Sequence, residues 1–176
     1  MKKILMFAVA VMTITLTATA QGVELTNEEF VGSWSGSMMG ATQFVTINAD
    51  GTYEQKASVK IGDGGAQQGS LSFEVSDKGK WEIQDKKIIL TTDPESIEMS
   101  DPQINLPAEL DPSLKAQIYD QVSAMKGQLL AEAKKPENQK TDMTIISYDG
   151  KKLIVEEKAS NGQAMKITYR KKKVKK

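Results

Sequence analysis

From Trp34 to Thr92 apolar and polar residues alternate with a period of two, a pattern that specifies β-strands with one wet face. In Thr52 to Ile61, the residues Tyr53, Ala57, Val59 and Ile61 share one side. Thr52, Glu54, Lys56, Ser58 and Lys60 take the other. Leu71, Phe73 and Val75 alternate with Ser72, Glu74 and Ser76, and Trp81 and Ile83 with Lys80, Glu82 and Gln84. Such strands belong in an antiparallel sheet with one face on a core. The turns between them are as plain. Asn48-Ala49-Asp50-Gly51 offers a glycine for positive φ, and Gln84-Asp85-Lys86 joins two further strands. Gly62 to Gly69 holds four glycines and reads as a hairpin tip. A phosphate cradle would need a Lys-Ser/Thr pair and an opening helix after it, and neither follows.

Three more strands close the chain, at Met143 to Tyr148, Lys152 to Lys158 and Gln163 to Arg170. Asp149-Gly150 and Asn161-Gly162 are hairpin turns between them. The total is eight strands if Ser70 to Gln84 is one strand bent at Gly79, and nine if Asp77-Lys78-Gly79 is a turn. Short hairpins in succession predict an up-and-down antiparallel β-barrel, in which closure removes exposed edges.

The first 20 residues read as a secretory leader: Met1-Lys2-Lys3 is basic, Ile4 to Leu16 is apolar apart from Thr13 and Thr15, and Ala18-Thr19-Ala20 is a cleavage site. The apolar run falls short of the roughly 20 residues a spanning helix needs. With no cysteine to carry a lipid, the expectation is export to periplasm or medium without a lipid anchor or stable membrane insertion. Residues 21–170 then form one barrel domain, of a size that buries roughly 70% of its unfolded surface. Removing Lys2 and Lys3 leaves 21 basic against 23 acidic residues, a net charge of −2 that gives no case for nucleic acid. The absence of His and Cys excludes Ser-His-Asp, Cys-His and H-E-x-x-H chemistry.

Residues 93–140 interrupt the pattern. Pro94, Pro102 and Pro107 punctuate a loop, and Asp111-Pro112 supplies an N-cap and a first helical residue. Leu114, Ile118, Val122, Met125, Leu129 and Ala133 form one apolar stripe, and Lys134, Lys135 and Pro136 suit the helix end. The spacing predicts a helix from Pro112 to Lys135. Its stripe covers the barrel as core, forms a lid over a ligand cavity, or binds a partner.

The remaining charged groups carry weaker signals. Asp93, Glu95, Glu98 and Asp101 lack calcium-loop spacing, and Asp50 and Asp63 sit in turns. No metal site, cofactor or catalytic pair is expected, since nothing brings two carboxylates together. The basic tail, residues 171–176 with Arg170 before it, is a solvated end or a contact for anionic surfaces.

Phe30-Val31-Gly32-Ser33-Trp34, followed by Gly79-Lys80-Trp81-Glu82-Ile83 and Ile88-Ile89-Leu90, resembles the paired Gly-x-Trp strands of bacterial lipocalin-like proteins. The resemblance implies an eight- or nine-stranded lipocalin-like barrel with an inserted helix. It also implies that Trp34 packs at the closed end under a basic side chain of the last strand, the place of Arg170. Yet Arg170 shares parity with Lys166 and Thr168, while Met165, Ile167 and Tyr169 form the inner set. Thr141-Asp142 echoes a lipocalin dipeptide. The absence of disulfides and the helical insertion depart from the pattern.

The expected function is non-catalytic: an exported carrier for a small apolar or amphipathic molecule. Its ligand would touch Tyr53, Phe73, Trp81, Met143 and Met165 in the barrel and Ile118 and Met125 on the helix. The alternative is a filled barrel that contacts a protein or the cell envelope. Eight strands allow either a packed interior or one small ligand, so interior volume discriminates.

Overall fold

A computed structural model describes residues 26–38, 40–62, 69–158 and 163–172. The leader, Asp63 within the glycine-rich tip, Asn161-Gly162 and the tail beyond Lys172 lie outside the described residues. A short helix α1 (Asn27–Phe30) precedes β1 (Gly32–Met38), β2 (Ala41–Ile47), β3 (Thr52–Ile61), β4 (Ser70–Gln84) and β5 (Lys87–Thr92). The insertion carries β6 (Glu98–Met99), β7 (Gln103–Asn105) and the helix α2 (Pro112–Ala133). The chain closes with β8 (Lys140–Tyr148), β9 (Lys152–Lys158) and β10 (Ala164–Lys171).

Eight of these strands form a closed antiparallel barrel in the order β1-β2-β3-β4-β5-β8-β9-β10, with β10 pairing back on β1. Sequence neighbours are spatial neighbours throughout, so the barrel is up-and-down and lipocalin-like. Ser70–Gln84 is a single strand of 15 residues, which settles the count at eight for the barrel. The turns follow their sequences. Gly51 and Gly150 take φ of 82° and 84°, and Asp85 and Lys86 both adopt positive φ in the two-residue turn between β4 and β5.

The lower end is filled. Phe30, Trp34, Ile47, Trp81, Ile88 and Leu153 are all buried there. Helix α1 closes this end because its last carbonyls find three donors. Trp34 Nε1 donates to Phe30 O at 2.8 Å, Tyr148 Oη to Glu29 O at 2.8 Å and Lys171 Nζ to Glu29 O at 3.1 Å. Trp81 Nε1 donates to Asn48 O at 2.9 Å, so both indoles are satisfied by backbone at the same end.

At the other end β3 and β4 run on past the barrel. Strand β5 stops at Thr92, opposite Gly79, and β6 and β7 pair with the upper half of β4 instead. Leu71 and Phe73 stand on the same side of β4 as Trp81, now on an arm above the barrel. Helix α2 lies on that arm: Val122, Met125 and Leu129 face Leu71, Phe73, Met99 and Pro102. The helix begins as its sequence dictates, with Ser113 N donating to Asp111 Oδ1 at 2.8 Å, and it ends at Ala133. Lys126 pairs with Asp101 at 2.7 Å beside the seam.

Candidate functional site

Above the filled end the barrel holds a cavity of about 260 Å³. Its floor is set by two tyrosines that use the same device. Tyr53 stands opposite Gly79, and its ring crosses the glycine to reach the polar residues beyond. The phenol donates to Asp77 Oδ1 at 2.8 Å and lies 2.7 Å from Thr92 Oγ1. A phenol has one proton, so Thr92 donates to Tyr53. Tyr169 stands opposite Gly36, its ring 2.9 Å from where a Cβ would lie. It donates to Gln43 Oε1 at 2.6 Å on the strand beyond, which pairs with Gly36.

The walls divide by chemistry. Val75, Leu90, Ile97 and Met143 provide apolar surface. Gln43, Gln55, Asp77, Thr92, Thr141 and Glu157 provide polar groups. Ile97, Ala133 and Asn138, from the two ends of the insertion, border the same cavity. Among the described residues no lysine or arginine lines it.

The two carboxylates stand on different walls, Asp77 on β4 and Glu157 on β9. Burial pushes both above the usual carboxylate range, and the Tyr53 hydroxyl partly offsets this for Asp77. Glu157 has Met143 and Met165 as its cross-strand neighbours. Its carboxylate has no hydrogen bond or ion pair among the described residues. Burial also raises both tyrosines, so their phenols stay neutral donors.

Of the residues expected to touch a ligand, Tyr53 and Met143 line the cavity. Met165 shares the inner face opposite Glu157. Trp81 belongs instead to the packed lower core. Phe73 and Met125 meet in the seam between arm and helix, because the long β4 carries Phe73 above the barrel. Ile118 lies half-buried on α2, and only Ala133 of the apolar stripe borders the cavity.

The basic side chain over Trp34 is Lys171, not Arg170. Arg170 points outward and is exposed, paired in register with Ser35. Lys171, one residue on, continues the inner parity of Ile167 and Tyr169 and places its ammonium 5.2 Å from the Trp34 ring centroid. The acidic loop also proves structural. Asp93 accepts from Glu95 N at 3.0 Å, and Asp101 holds Lys126.

Asp77, Gln55 and Glu157 were not legible as site residues. Asp77 reads as a turn former beside Gly79, and Glu157 as the polar end of a strand. The signal available was parity: both fall on the inner register of their strands, two residues from Gly79 and Val155. A scan against protein-family models finds no match for this chain, and no curated protein matches it.

Proposed function

We propose that this is an exported, lipocalin-like, non-catalytic protein that binds one small amphipathic molecule in the open half of the barrel. The observation that carries this reading is the cavity of about 260 Å³ beside a fully packed lower core. Its size falls just under the roughly 300–1,000 Å³ of sites for drug-sized ligands, so the guest is small. Its walls favour an amphipathic guest over a wholly apolar one. A pure hydrocarbon would strip water from Gln55, Asp77, Thr141 and Glu157 and return no hydrogen bonds. The cavity also weighs against the filled-barrel alternative, which needs side chains where this space lies.

Native mass spectrometry of protein purified without organic extraction tests the reading. The expected result is a bound species of low mass that is lost on denaturation. A Tyr169→Trp variant, which fills space from the floor, should lose it. Protein that carries no ligand and takes up none from a panel of small amphiphiles overturns the proposal.

A further inference from the structure

We infer that the molecule held in the cavity is a small organic cation, its ammonium head drawn to the cavity's two carboxylates, Asp77 and Glu157. This rests on the binding reading above and narrows it to one charge class.

The cavity's charged groups among the described residues are two carboxylates, with no lysine or arginine to balance them. The other cavity tyrosine is already committed: Tyr169 Oη donates to Gln43. The Tyr53 hydroxyl serves Asp77 alone, and Thr92 serves Tyr53. Glu157, flanked by Met143 and Met165, receives no donor within the described residues. The fixed charge lining the cavity is therefore all negative, and a guest that brings positive charge complements it. An anion would face both carboxylates with no cationic side chain in the lining to offset them.

The position of Glu157 sharpens the point. A half-buried carboxylate between two methionines has no evident structural partner, and a glutamine there would cost the fold less. Burial alone raises its protonation, and an ammonium beside it would supply the missing countercharge. Met143, Leu90 and Val75 then give an aliphatic portion of the same guest its surface.

The test compares three probes with one chain and different heads: n-hexylammonium, n-hexanol and n-hexanoate, titrated calorimetrically at pH 7 into the intact protein. The ammonium should bind about tenfold more tightly than the alcohol, the scale of one charge-assisted hydrogen bond. Hexanoate should bind weakest. Asp77→Asn keeps an oxygen for the Tyr53 hydroxyl, and Glu157→Gln keeps the side chain's shape. Each should weaken the ammonium several-fold and the alcohol by clearly less, with circular dichroism confirming the fold. Alcohol or carboxylate binding as tight as the ammonium overturns the cation assignment while the binding reading stands. So does an ammonium affinity that both variants leave unchanged. Failure of all three probes to bind overturns the binding reading and the assignment with it.

Discussion

Tyr53 lies across Gly79, so close that a Cβ on the glycine would fall 2.8 Å from the tyrosine ring and collide with the Thr91 carbonyl. The glycine is therefore fixed by space, not by backbone conformation, and its absent side chain is what lets the phenol reach Asp77 and Thr92. Tyr169 and Gly36 repeat the arrangement on the facing wall. Together the two pairs set the level at which the barrel changes from packed to open.

Gly79→Ala should cost about 3 kcal/mol or more, beyond ordinary overpacking because backbone oxygen, not a flexible chain end, blocks the methyl. Gly36→Ala should cost about 1–3 kcal/mol, since its chief neighbour is a ring that can tilt. Denaturant titration ranks the two. Equal and small effects would mean that the tyrosines do not cross their glycines.

Tyr53→Phe removes the one donor to Asp77 and should destabilise by about 1.5–3 kcal/mol at neutral pH, the range for a hydrogen bond to a charged group. The cost should shrink in acid, where protonated Asp77 no longer needs the donor. A cost that is the same at pH 4 and pH 7 would show that the pair contributes only packing.

Trp34→Ala should cost about 3–5 kcal/mol, since the indole is 2% exposed and its N–H is bonded to Phe30 O. Lys171→Met should cost about 1–2 kcal/mol through the lost cation–π contact and the bond to Glu29 O. Arg170→Met should stay within about 0.5 kcal/mol, as for other surface changes. A reversed order for the two basic residues would restore Arg170 to the clasp.

Strand parity made most of the barrel legible, because one buried face forces a strict alternation. Met165, Ile167 and Tyr169 were placed inward by it, and the same count carried one step further gives Lys171. The arm was not legible. Leu71 and Phe73 alternate as barrel residues do, and nothing in their spacing says that β5 ends before reaching them. For the same reason the apolar stripe of α2 could be read, but not the surface it lies on. Asp77 and Glu157 escaped notice because a polar residue on an inner register breaks the very pattern used to find the strand.

The arm and helix should part from the barrel without unfolding it. Every residue of α2 keeps some exposure, and Met125 and Leu129 are 47% and 41% exposed. Val122→Asp places a carboxylate in the seam and should free the helix. Limited proteolysis within residues 112–133 should accelerate several-fold, while Trp81 and Trp34 emission stays native. Simultaneous loss of the tryptophan signal would show that the helix is integral to the barrel core.

Glu157→Gln should stabilise the protein at pH 7 and lose that advantage in acid. Burial raises the Glu157 carboxyl above its ordinary value, about 4.3, so folding favours the protonated form. That contribution is whole below the unfolded value and is lost as pH rises through the folded one. At neutral pH the ionised group therefore weighs against folding, and a neutral amide of the same shape does not. The exposed carboxylates held low by neighbours run the other way. Glu74 beside Lys56, and Asp101 beside Lys126, lose stabilisation as acid protonates them. They are common to both proteins and cancel in the comparison. Denaturant midpoints for the two proteins should converge as pH falls from 7 toward 4. A difference that does not change with pH would mean that Glu157 is solvated in the folded state.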